Sequence, residues 1–368
     1  MHKSDASWAV DELGPAMVAF LRPCDGVTSV VVVDNLALGP AIGGVRMRPD
    51  VTAGEVARLA RAMTVKNALA GLPHGGAKAG IAAPAMEPDD HERVMRAFAR
   101  SMQRLTDYIP GPDMGTTERS MAYVRDEIGR AVGLPAVLGG IPLDQLGATG
   151  FGLAVCADVL SEARLLDLGA ARVVIQGLGA VGWHAARFLA KRGAKIIAAS
   201  DSKAAIWNPG GLDVAALGEH KRSTGSVAGF PGGTEVPRDD IIGFDCEILV
   251  PAAQPDVVTT ENAGKISARV ILEGANIPVT VQAEAELAER GVLCVPDVVA
   301  NSGGVICAAA EYRGAGHAEA FADIEEKIRD TTAEVLDRIR QGSLTPRAAA
   351  DHMAQERLGE ALALRRKF

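Results

Sequence analysis

The sequence predicts an α/β protein of two domains, the second of Rossmann type. Three observations carry that expectation. The chain has 368 residues, enough for two separate cores. From about Gly147 onward, short apolar runs alternate with helical patterns, as the strands and crossover helices of a parallel sheet do. Within that half, Gly177-Leu178-Gly179-Ala180-Val181-Gly182 follows an apolar run and opens a helical one.

The elements follow in chain order. Residues 28–34 are β-branched and read as a strand, and residues 53–69 carry apolar side chains at helical spacing. A short strand is expected over 80–83, an amphipathic helix over 91–105 and another helix over 118–130. Gly139-Gly140-Ile141-Pro142 reads as the passage towards the second domain. Beyond it, 171–176 and 195–200 are buried-strand runs flanking a helix over 181–191, and 246–250, 270–272 and 292–295 are further strands. Long helices are expected over 323–340 and 346–368. The domains are thus expected at 1–145 and 146–335, with a C-terminal helical segment at 336–368.

Composition narrows the function. With 48% hydrophobic and 23% charged residues, the chain has the make-up of a globular enzyme. A net charge of −8 and the lack of a basic block argue against a nucleic-acid or membrane partner. The first fourteen residues hold Asp5, Asp11 and Glu12 and no apolar centre, so no secretory signal is expected. The five cysteines lack paired metal-ligand spacing, which points to reduced thiols in a cytoplasmic protein and to no metal site.

The glycine-rich stretch has a chemistry of its own. Gly177 permits a tight turn, Gly179 lets a pyrophosphate approach the backbone, and Gly182 lets helix pack on strand. The helix beginning at Ala180 and Val181 would present amide donors to the phosphates. Asp201, at the end of the next strand, is suited to the adenosine ribose hydroxyls and favours NAD. Ser202 and Lys203 follow at once and could hold a phosphate, which leaves NADP open.

Lys66 and Lys78 stand twelve positions apart in an apolar stretch, Met63-Thr64-Val65-Lys66-Asn67 and Gly75-Gly76-Ala77-Lys78. Buried unpaired amines are costly, so a ligand or a catalytic role is indicated over solvated surface lysines. The glycines before Lys78 suggest a sharp backbone bend. Asp113, in Gly111-Pro112-Asp113-Met114-Gly115-Thr116-Thr117, adds a carboxylate in a turn, where an acid often merely caps.

This lysine pair, aspartate and dinucleotide loop, in that order, resemble the glutamate, leucine, valine and phenylalanine dehydrogenase family. The likeness runs from about Leu38 to about Ala308. It implies an N-terminal substrate-binding and oligomerisation domain, a cleft that closes by hinge motion, a C-terminal helix returning to the first domain, and a homo-oligomer. It implies that Lys66 grips the substrate carboxylate beside Gly43 and Gly44, that Lys78 activates water, and that Asp113 moves protons at the amine. Thr149 would meet the nicotinamide carboxamide, Asn276 the nicotinamide ribose, and Asn301 the adjoining wall. The activity implied is NAD-dependent reversible oxidative deamination of an L-amino acid, releasing ammonium.

The substrate side chain departs from the pattern of the glutamate enzymes. These resemble the present chain but carry a lysine where Ile42 stands and a serine where Ala308 stands. An acidic side chain would lie unpaired among Ile42, Gly111, Val305 and Ala308, which leads to the expectation of an apolar amino acid. Arg46 is the nearby cation able to reverse that argument. An unusual amine, glutamate, or a non-catalytic dinucleotide-binding paralogue are the alternatives.

Overall fold

The computed structural model describes residues 10–342 and 344–365. Residues 1–9 and 366–368 therefore place part of the N-terminal stretch and the last three residues of the expected C-terminal helix outside it. The chain forms two compact units. One comprises the chain up to Leu143, Val305–Asp323 and the chain from Asp351 onward; the other comprises Asp144–Gly304 and Ile324–Ala350. The units thus interleave, where the sequence suggested breaks only near 145 and 335.

The first unit is built on a five-stranded sheet in the order β1-β2-β4-β3-β5. Its strands are β1 (Met17–Cys24), β2 (Val27–Asn35), β3 (Ala41–Arg48), β4 (Gly75–Ala82) and β5 (Tyr108–Pro112). β3 runs parallel to β4 and β5, while β2 runs antiparallel to β1 and β4. The two-residue period of strands sorts the side chains between faces. Val31, Val33, Ala41, Val45, Ala77 and Ala79 share a core with Val94, Met95 and Phe98 of the helix Pro88–Ser101. Val30 and Val32 point the other way and pack on Val56 and Ala60 of the helix Ala53–Leu69. Ile42, Gly44 and Arg46 alternate with Ala41 and Val45, so they share this second face.

The helix Ala53–Leu69 has the bounds its apolar period predicts, and Thr52 caps it by accepting from the Glu55 amide at 3.1 Å. The bend expected before Lys78 is absent. Gly75 and Gly76 lie in extended β4, and a Cβ on them would stand 1.8 Å from the Asn35 carbonyl oxygen and 2.1 Å from the Thr64 nitrogen. These glycines permit close approach of strand to strand and strand to helix, not a turn.

The second unit carries a seven-stranded sheet in the order β12-β11-β10-β6-β7-β8-β9. The strands are β6 (Arg172–Gln176), β7 (Lys195–Ser200), β8 (Ala205–Trp207), β9 (Thr234–Val236), β10 (Ile248–Pro251), β11 (Val270–Leu272) and β12 (Leu293–Val295). The five from β12 to β7 are parallel, and β8 and β9 add an antiparallel edge. Both faces of the parallel part are covered, which explains its unbroken apolar runs. The strand order reverses between β6 and β10, the place where open α/β sheets bind ligands beyond the strands' carboxyl ends. No helix among the described residues is long and apolar enough to cross a membrane.

Candidate active site

In the first unit, sheet register assembles the polar residues. Lys78 lies on β4 and Asp113 directly follows β5, the two strands that flank β3. The Lys78 ammonium stands 2.8 Å from Asp113 Oδ2. Arg46, from β3 between them, donates through Nε to the same oxygen at 3.0 Å and through its other arm to Glu55 at 2.6 Å. Burial pushes the Asp113 carboxyl up, but Lys78 and Arg46 outweigh it and hold the group below the usual carboxylate range. A charged carboxylate at neutral pH, with both cations on one oxygen, is the result.

The glycines make this contact possible. A Cβ on Gly44 would lie 2.8 Å from the Asp113 Cβ and 3.1 Å from the Lys78 nitrogen. One on Gly43 would lie 1.6 Å from the Ala77 carbonyl oxygen, and the Tyr108 hydroxyl donates to the Gly43 carbonyl at 3.0 Å. Ile42 pairs with Gly76 and Ile109 and is buried on the face that holds Gly44. Gly111, opposite Gly44, faces Val132 at 3.1 Å from a would-be Cβ. Lys66 is buried in the last turn of Ala53–Leu69. Ala308 is buried and Val305 half-buried on the helix Gly303–Tyr312.

In the second unit, a cavity of about 590 Å³ opens beyond β6 and β10. Gly177 takes φ +97°, and a Cβ there would strike Ala253 at 2.6 Å. Gly182 would strike the Gly177 carbonyl at 2.0 Å, whereas Gly179 meets nothing within 4 Å. Gly179 caps the helix Ala180–Lys191 and so leaves amide donors facing the open side. The Gln176 side-chain oxygen at the cavity wall is buried without a partner, which asks for a donor from a ligand. A turn that only a glycine backbone fits, an open amide cradle and an orphan acceptor suit a dinucleotide.

Asp201 lines this cavity, and its carboxylate is also engaged within the fold. Its Oδ1 accepts from the amides of Lys203 at 2.9 Å and Ala204 at 3.0 Å, and its Oδ2 from the Val227 amide at 2.8 Å. Lys221 completes the set with an ammonium at 3.0 Å from Oδ2. Burial opposes ionisation, but these donors together hold the carboxyl far below its usual range. Ser202, Lys221 and Arg238 line the same cavity. Sequence reasoning missed both basic residues, because neither stands at a recognisable spacing from the glycine loop.

Thr149 lies in the first turn of the helix Ala148–Glu162, next to Gly304, whose Cβ would sit 3.3 Å from the threonine hydroxyl. Gly147 is the N-cap, so Thr149 does not serve as one. Asn301 donates to the Ala275 carbonyl at 3.0 Å and to the Asn276 side-chain oxygen at 3.2 Å. Its own side-chain oxygen is buried without a partner.

The model of the Glutamate/Leucine/Phenylalanine/Valine dehydrogenases matches residues 139–366, and that of the Glu/Leu/Phe/Val dehydrogenase dimerisation domain matches residues 22–130. The chain belongs to this family. It is an NAD(P)-dependent amino-acid dehydrogenase that supports oxidative deamination. A glutamate dehydrogenase of Aeropyrum pernix is 39% identical over 355 residues, covering 90% of this chain and 85% of that one. The hetero-hexameric glutamate dehydrogenase of Thermus thermophilus, solved with leucine bound, superposes with a TM-score of 0.86 at 32% identity, covering 96% and 91%. The L-tryptophan dehydrogenase of Nostoc punctiforme gives 0.73 at 26% identity, covering 96% and 98%.

Proposed function

We propose that this dehydrogenase deaminates an apolar L-amino acid to its 2-oxo acid, with Lys78 as the base for water, Asp113 as the proton carrier at the amine and Lys66 as the carboxylate anchor. The observation that carries the reading is the Lys78–Asp113 pair at 2.8 Å over a bare Gly44. A bound nicotinamide would supply the acceptor for the hydride of the α-carbon. The chain's residues do the rest. Lys78, once its ammonium has passed a proton to solvent, holds a water and accepts its proton as the oxygen attacks the imine carbon. With Lys78 and Arg46 both on Oδ2, Asp113 has Oδ1 to accept a proton from the amine and to return one as ammonia leaves. Lys66, a compact cationic donor, suits an α-carboxylate.

The side-chain preference rests on Ile42 and Ala308. Arg46, the cation that could pair an acidic substituent, is already held by two carboxylates, Asp113 and Glu55, with its side chain 13% exposed. Glutamate is the second reading, favoured by the names of relatives such as the Aeropyrum pernix enzyme. Initial rates with leucine, valine, phenylalanine, tryptophan and glutamate decide between them. An apolar amino acid is expected to exceed glutamate in kcat/KM by about a hundredfold, equivalent to roughly 3 kcal/mol. A faster reaction with glutamate would overturn the pocket reading.

The ribose end supports use of both cofactors. An Asp201 carboxylate neutralised by Lys221 repels a 2′-phosphate little, and Lys221, Arg238 and Ser202 offer it donors.

A further inference from the structure

The most unusual charge cluster of the molecule lies outside the residues already discussed. Arg347, in the first turn of the helix Pro346–Ala363, is surrounded by three buried carboxylates. It donates to Glu273 Oε2 at 2.9 Å, to both oxygens of Glu284 at 2.8 Å through Nε, and to Asp297 Oδ1 at 3.1 Å. The acids' side chains are 0%, 6% and 5% exposed. One planar guanidinium with a rigid fork of five donors can serve three acceptors, which an ammonium cannot do with the same geometry. Burial, with Glu284 and Asp297 beside it, pushes the Glu273 carboxyl above its usual range despite Arg347.

What the cluster holds is a short piece of backbone. Glu273 Oε2 also accepts the Asp297 amide at 3.1 Å, and Asp297 Oδ2 accepts the Ile277 amide at 3.2 Å. Ile277 has φ +50°, a left-handed conformation that a β-branched residue adopts only when its surroundings impose it. Between these two anchored ends lies Gly274-Ala275-Asn276, and the Gly274 and Ala275 carbonyls and the Asn276 side-chain oxygen accept from the Asn301 amide group. Asn301 in turn follows Asp297, donating its backbone amide to the Asp297 carbonyl at 3.1 Å.

We propose that Arg347 is a positioning residue for the nicotinamide half of the cofactor. By drawing Glu273, Glu284 and Asp297 to one point, it sets the loop that carries Asn276 and aims the free side-chain oxygen of Asn301. This inference rests on the assignment of Asn276 and Asn301 to the nicotinamide side. The adenosine half binds elsewhere in the same unit, at the glycine turn and the Asp201 cavity, so a defect of Arg347 separates the two halves of the ligand.

The test compares affinities of the full-length protein for NADH and for ADP, which lacks the nicotinamide riboside, by fluorescence titration. Arg347→Lys keeps the charge and loses the fork. Its NADH affinity is expected to fall about tenfold while ADP affinity stays within twofold. Unchanged NADH affinity, or an equal loss for both ligands, would overturn the proposal. Asn301→Ala is the companion variant. If it leaves NADH affinity unchanged, the assignment of that wall is at fault; if it lowers NADH affinity and Arg347→Lys does not, the positioning role is. Should Arg347→Lys not fold, Glu284→Gln is expected to cost two- to fourfold in NADH affinity alone, and no change there counts against the proposal.

Discussion

The two units use glycine to opposite ends. In the first, side chains from three neighbouring strands converge, and glycine serves only to leave them room: Gly44 exists beside Lys78 and Asp113 because any Cβ would intrude on their ion pair. In the second, glycine leaves backbone amides open: nothing stands within 4 Å of a Cβ on Gly179, at the start of a helix. The first arrangement depends on sheet register, the second on a contiguous strand–turn–helix. A defect in one should therefore leave the other intact.

The largest effect is expected at Lys78. Replacing it with alanine should lower kcat by roughly two to four orders of magnitude, the usual cost of a lost general base, with cofactor affinity unchanged. The loss also removes the ammonium that stands 2.8 Å from Asp113, so the carboxyl moves up. Ionisation of Asp113, complete above its folded pKa, is then lost at a higher pH on acidification, and the acid limb of residual activity shifts upward. Near-normal turnover in steady-state assays would place the base elsewhere.

A pair of glycine variants sharpens the contrast. Gly44→Ala forces a carbon to 2.8 Å from the Asp113 Cβ, and displacement of the pair by a fraction of an ångström should cost about a hundredfold in kcat. Cofactor binding by the same variant should be normal. Gly179→Ala should do the reverse, leaving the melting temperature unchanged and weakening NADH about tenfold where the pyrophosphate approaches. Calorimetry and cofactor titration of both proteins distinguish this crossed pattern from general destabilisation, which would lower both quantities together.

The smallest effect is expected at the ribose end. Lys221→Ala removes one donor for a 2′-phosphate and restores part of the Asp201 charge, so the ratio of kcat/KM for NADP over NAD should fall about three- to tenfold. A ratio that rises instead would mean that Lys221 serves only to hold the Asp201 loop.

Much of the second unit was legible because its signals are local. The order apolar run, Gly177 to Gly182, helix is readable within one window, since each glycine answers a demand made by residues a few positions away. The helix Ala53–Leu69 was legible for the same reason. β3 and β5 were not, because Gly43-Gly44 and Pro110-Gly111-Pro112 carry turn-forming residues and lack the β-branched alternation of β2. They are strands because their neighbours supply the hydrogen bonds and the close approach that only glycine allows. The helix expected over 91–105 begins earlier, at Pro88, whose ring suits the first helical turn.

What the sequence by itself determined is therefore the set of chemical groups and their local frames: two lysines and an aspartate in apolar surroundings, a glycine-rich strand–turn–helix, and an apolar Ile42 and a small Ala308. The tertiary structure alone decided how those groups are spent. Arg46 is bound between Asp113 and Glu55, Asp201 is consumed by Lys221 and three backbone amides, and Arg347 gathers acids 50 to 74 positions away. The reason is physical. Propensity and apolar period act over a few residues, whereas the pairing of a buried charge is settled by whichever partner the fold brings within hydrogen-bonding distance.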